Sequence, residues 1–159
     1  MTFLLLRLLH ILGAAILLGT GLGIAFFAWF GYRLAVRQDD IGLLRGVLGL
    51  TVVADTVFTA TAAIVQPITG IALWRMTVND WSHPWFLSVL ALYVGVGLCW
   101  LPVVKLQIRL RDAARTAASI AALDLGFHRS FKRWFMLGVP AFVLMLVLMA
   151  LMVFRNPML

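Results

Sequence analysis

His10 lies three residues after Arg7, inside an apolar run that extends from Phe3 to Phe30, and this pair is the first place where the chain could do chemistry. An ionisable ring in hydrocarbon is costly without a partner, a cavity or a ligand, so such a residue marks a site by default. Neutral imidazole binds iron through one ring nitrogen, and an arginine one turn away can meet an acidic group of the same ligand. The alternative is a histidine that snorkels or hydrogen-bonds a neighbouring helix near the membrane surface.

The spacing of three puts Arg7 and His10 on one helical face, which Gly13, Ala14, Leu17 and Gly21 continue. The ring therefore overlooks a groove of small residues. Gln66 in the second apolar run and Met145 and Met149 in the fourth fall at comparable depth. A histidine and a methionine from facing helices can form an axial pair on heme iron. His10 with Met149 or Met145 is thus the candidate heme b ligand set, with Arg7 or Arg75 available for a propionate and Gln66 in the same layer. His10 with His83 is a further pair. Methionines at helical spacing also read as ordinary packing.

A second layer centres on Asp55. With Thr59, Ala62, Gln66, Thr69 and Gly70 it forms a stripe at three- and four-residue steps, which must face the protein interior or a wet cavity. Lys105, Arg109 and Arg133 are the cations expected to pair with Asp55 in a structural ion pair, and proton transfer is the other role open to it. The stripe together with Met145, Met149 and Met152 would equally serve a copper or small-solute path. No paired carboxylates at catalytic spacing, nucleophile signature or phosphate-binding glycine loop appears, which argues against hydrolase and kinase chemistry.

The elements that position these residues are set by composition. Of 159 residues, 64% are hydrophobic and only 12% charged, which places the chain among integral membrane proteins. Four apolar stretches, at about 4–31, 47–74, 85–106 and 134–154, predict an all-α, polytopic four-transmembrane-helix bundle in a single domain. Phe3 to Phe30, read as a helix, reaches about 42 Å against roughly 30 Å of hydrocarbon. It reads as a span rather than a signal peptide, having no basic segment before it. Tyr32 to Gly46 reads as a polar connection, Pro67 as a local kink, and Trp74, Trp81 and Trp85 as an interfacial belt. Ala15, Gly19 and Gly23 in the first span match Ala91, Gly95 and Cys99 in the third, so those helices are expected to approach closely. The lone Cys99 reads as a packing residue. A turn is expected near Gly126, with His128 solvated among cations.

The net charge of +7 concerns orientation and not nucleic acid. Arg33, Arg37, Arg45, Lys105, Arg109, Arg111, Arg115, Arg129, Lys132 and Arg133 gather at one face, against Arg7, Arg75 and Arg155 at the other. Ten against three predicts both termini extracytoplasmic.

The segments Leu6-Arg7-Leu8-Leu9-His10-Ile11-Leu12-Gly13, Leu18-Gly19-Thr20-Gly21, Gln66-Pro67-Ile68-Thr69-Gly70, Trp100-Leu101-Pro102 leading to Gln107-Ile108-Arg109-Leu110, and Trp134 with Gly138 and Pro140, resemble an uncharacterised bacterial integral-membrane family, a domain of unknown function. More distantly the chain is similar to the copper-resistance D membrane proteins and to small heme-dependent protoporphyrinogen oxidases. That resemblance implies a bacterial inner-membrane protein with His10 as heme ligand, in electron transfer or porphyrin oxidation. Those oxidases carry a basic residue where this chain has the neutral Phe86-Leu87-Ser88-Val89. The alternative is a non-catalytic accessory subunit, packed in the lipid bilayer against a membrane-protein partner or a homo-oligomer.

Overall fold

A computed structural model describes residues 1–154; the tail from Arg155, counted above for orientation, lies outside the described residues. Four long helices run up and down: α1 (Thr2–Gln38), α2 (Ile41–Thr77), α3 (Pro84–Thr116) and α4 (Leu125–Val153). All four are long and apolar enough to cross a membrane. Their outward faces carry Leu4, Phe27, Leu50, Ile64 and Leu98, all largely exposed, a surface that lipid satisfies and water does not. The chain is an all-α, four-helix polytopic membrane protein.

The helices outrun their apolar stretches. The expected connection from Tyr32 to Gly46 contracts to Asp39 and Asp40. Asp39 takes the left-handed conformation (φ 52°) that ends α1, while the Asp40 side chain accepts the Leu43 N–H at 2.9 Å and starts α2. Asp124 caps α4 in the same way, accepting from the Phe127 N–H at 2.7 Å. The break between α3 and α4 therefore precedes Gly126, which lies inside the first turn of α4. His83 caps α3 through Nδ1, with Pro84 in the first turn, where a missing N–H costs nothing.

α2 contains a π-helical segment, Asp55–Ala60, and continues through Pro67. Proline removes the N–H that would satisfy the carbonyl four residues back, that of Ala63. The Tyr93 hydroxyl of α3 donates to that carbonyl instead.

Contacts fix the order of the helices. His10 meets Thr69 and Gly31 meets Val47 between α1 and α2; Trp74 stacks on Trp85 between α2 and α3; the Trp85 indole donates to the Leu151 carbonyl between α3 and α4. α4 returns to α1 where Phe131 stacks on Tyr32 and Trp29. The tightest core, with Ala28, Leu44, Leu48, Leu110, Phe131 and Trp134, lies toward the α1–α2 and α3–α4 connections, hereafter the basic end.

Close approach does not follow the expected small-residue match. A Cβ built on Gly19 or Gly23 meets nothing within 4 Å, and one on Gly95 meets Leu144 of α4. On α1 the tightest approach is at Gly31, whose Cβ would lie 2.7 Å from Val47. A stripe of small residues marks a face able to pack closely but cannot name its partner.

Candidate functional site

Two polar layers lie inside the bundle. The first is built on His10, brought to α2 because helices running in opposite directions set residue 10 against residues 66–70. The His10 Nδ1 and the Thr69 Oγ1 are 2.8 Å apart, and that hydroxyl also lies 2.9 Å from the Val65 carbonyl and 3.2 Å from the Gln66 carbonyl. A hydroxyl has one proton, and main-chain carbonyls can only accept. Thr69 therefore donates to its own helix and accepts from His10 Nδ1–H, which leaves the lone pair of the neutral ring on Nε2.

The ring rests on bare backbone. A Cβ at Gly70 would stand 3.2 Å from His10 Cε1, and one at Gly13 would stand 3.3 Å from the Gln66 amide, so both glycines permit this contact. Gln66 donates to the His10 carbonyl at 3.0 Å, and its own buried Oε1 has no partner.

The remaining heme candidates are arranged less closely. Arg7 is exposed one turn nearer the N-terminus. Met145 and Met149 are half-buried on α4, and no hydrogen bond or ring contact links them to His10 among the described residues. Gly21, in register with His10, and Gly138, in register with Met145, each have open space where a Cβ would be. His83 is engaged as the α3 cap, with its ring 5.6 Å from that of Trp74, and Arg75 sits over Trp81 at 5.5 Å.

The second layer corrects an expectation. Asp55 is buried and forms no ion pair with Lys105, Arg109 or Arg133. Gln107 donates to Asp55 Oδ2 at 2.6 Å, the Trp100 indole donates to Oδ1 at 3.2 Å, and the Trp134 indole donates to Gln107 Oε1 at 3.3 Å. The physical reason is the facing of α3. Gln107 lies on its buried side, whereas Lys105 and Arg109 are exposed and a long, strongly solvated cation gains by staying out. Thr59, one turn further along α2, is also buried and its hydroxyl has no partner.

Lys105, Arg109 and Arg133 instead line a cleft of about 560 Å³ between α3 and α4, floored by Pro102, Leu106, Met136 and Leu137. The only ion pair among the described residues is Arg111 with Asp112, at 2.8 Å. His128 also departs from expectation. It lies in the first turn of α4 and shares a 2.6 Å hydrogen bond with the Tyr32 hydroxyl, so it belongs to the packed basic end rather than to solvent. Its sequence signal was the helix cap at Asp124, four residues earlier.

Residues 4–156 match the family described as predicted integral membrane protein (DUF2269). The chain belongs to this family. No curated relative and no solved structure matches it. For the DUF2269 chain the membrane-embedded bundle is thus supported twice, by the match over almost its full length and by four helices of spanning length.

Proposed function

We propose that this chain is an electron-transfer protein of the bacterial inner membrane that holds heme b through Nε2 of His10. One observation carries the reading: Thr69 Oγ1 sits 2.8 Å from His10 Nδ1, which leaves Nε2 as the ring nitrogen available to a ligand in an apolar bundle. Metal-ligating histidines characteristically donate their other N–H to such a partner, which fixes the ring and raises its basicity.

The residues fit the group on three counts. Nε2 has no hydrogen-bond partner among the described residues, Gly70 gives the ring a seat without side-chain obstruction, and Gly21 leaves open space along the same face of α1. Arg7 would neutralise a propionate, and Met149 or Met145 is the proposed second ligand. When bound, heme supplies one-electron redox chemistry. The chain's own part is to hold the ligand: Thr69 keeps Nδ1 protonated, Gln66 ties the α1 backbone to α2, and the surrounding apolar side chains limit water. By the excess of cations at the basic end, His10 would face the extracytoplasmic side and both termini would lie there.

The test is the absorption spectrum of detergent-purified protein, made in cells supplied with a heme precursor. A Soret band that is lost in His10→Ala supports the reading. Absence of the band in the wild type, or its persistence unchanged in His10→Ala, refutes it.

A second reading, a path for a small cation along α2, is favoured by two buried atoms without partners, Thr59 Oγ1 and Gln66 Oε1, on the stripe that also holds Asp55. Proteoliposome flux that is insensitive to Thr59→Val and Asp55→Asn would remove it.

A further inference from the structure

The cleft between α3 and α4 has an ordered chemistry from one end to the other. On α3, Pro102, Lys105, Leu106 and Arg109 follow at steps of three and four and so share one face. On α4, Arg129, Lys132, Arg133 and Met136 do the same, and they line an adjoining recess of about 250 Å³ that shares Arg133 and Met136 with the first. Pro102 shares the cleft with Met136 and Leu137 at the deep end, while Arg109 shares it with Arg133, and Arg129 and Lys132 continue the cationic end along α4 in the adjoining recess. Cations give way to bare hydrocarbon over about two helical turns, roughly 11 Å.

That gradient is the profile of a phospholipid, phosphate outward and acyl chain inward. Five cations line the two recesses, and none of them forms an ion pair among the described residues. Among the described residues, nothing acidic lines either recess. Basic recesses between membrane helices on the cytoplasmic side are suited to anionic headgroups. Arg33 and Arg37, which serve orientation equally well, lie on α1 and line neither recess, whereas these five cations flank two recesses joined through Met136.

We infer that the α3–α4 cleft binds an anionic membrane phospholipid, and that five cations select a headgroup carrying two phosphates over one carrying a single phosphate. Arg109, Arg129, Lys132 and Arg133 hold the phosphates, Lys105 reaches the headgroup from one turn deeper, and Pro102, Met136 and Leu137 receive an acyl chain.

The inference is tested on the full-length protein in detergent by native mass spectrometry, with added cardiolipin, phosphatidylglycerol and phosphatidylcholine, and with inorganic phosphate titrated separately. Retention of cardiolipin at least ten-fold over phosphatidylcholine, and above phosphatidylglycerol, supports it. So does loss of that preference in an Arg109→Gln, Lys132→Gln, Arg133→Gln variant whose circular dichroism and elution volume match the wild type. Met136→Gln should weaken cardiolipin retention several-fold without changing the cationic rim. Equal retention of the three lipids, or an unchanged preference in the triple variant, overturns the inference. Inorganic phosphate displacing cardiolipin at equal concentration also overturns it, because the apolar floor would then contribute nothing. None of these readings depends on whether His10 carries heme.

Discussion

The Tyr93 hydroxyl donates its hydrogen bond to the Ala63 carbonyl, the acceptor that Pro67 deprives of its helical N–H. A proline in the middle of a membrane helix is tolerated when a neighbour re-satisfies the freed carbonyl, and α3 supplies that neighbour. Tyr93→Phe keeps the ring and removes only the donor. It is expected to destabilise the protein by about 1 kcal/mol, measured by denaturant unfolding in detergent. In a Pro67→Ala background the same change should cost clearly less, since the helix then satisfies Ala63 itself. Equal costs in both backgrounds would contradict this account.

Thr69 offers a way to separate positioning from ligation. Thr69→Val removes the acceptor for His10 Nδ1–H while preserving shape, and Thr69→Ser restores it. If His10 carries heme, Thr69→Val should weaken heme retention about 10- to 100-fold and alter the redox potential, with Thr69→Ser near wild type. Heme titration and potentiometry measure both, and a purely structural role would leave the potential unmoved.

Gln107 joins Asp55 to Trp134, donating to the carboxylate and accepting from the indole. Gln107→Leu leaves a buried carboxylate with the Trp100 indole as its remaining side-chain donor and an indole N–H without its acceptor. A loss of about 2–4 kcal/mol is expected. Combining it with Asp55→Leu should recover part of that loss, because both polar partners are then gone. A double-mutant cycle showing no coupling would rule out the network as a source of stability.

Gly31→Ala places a Cβ at 2.7 and 2.9 Å from the two methyl groups of Val47, a stiff β-branched side chain. About 1–3 kcal/mol of destabilisation is expected. Adding Val47→Ala should relieve it, so that the double variant is more stable than the two single effects summed. Thermal unfolding of the four proteins checks the sign.

Asp80, in the connection between α2 and α3, is held below the ordinary carboxylate range first by the Ser82 hydroxyl, at 2.7 Å, and then by the Ser82 N–H. A lowered folded-state value means that the contribution of this connection is present above the ordinary carboxylate range and lost as pH falls through the depressed value. Titration followed by NMR should show Asp80 moving back up in Ser82→Ala, and an unmoved titration would deny Ser82 its part.

The four crossings are legible in the sequence because hydropathy acts on each helix separately and needs no knowledge of its neighbours. The buried faces of His10 and Thr69 are legible too, since a polar residue at helical spacing among leucines has to turn inward. What pairs with what is another matter. Asp55, Gln107 and Trp134 lie on three helices, and counting cations at one end of the bundle cannot reveal that a neutral amide occupies the buried side of α3. The π segment has no side-chain signature of its own, and the cap at Asp124 is easily missed beside the more conspicuous Gly126.

The π segment at Asp55–Ala60 acts on α2 as a phase adjuster. One extra residue in a helix turns everything beyond it by about 100° relative to an uninterrupted α-helix. Asp55 at its start is aimed at α3, while Gln66 and Thr69 beyond it are aimed at α1. Trimming a single residue from this stretch would keep α2 helical and apolar yet swing its far half away from the imidazole. Six residues in mid-membrane thereby set the angular alignment of a ring that none of them touches.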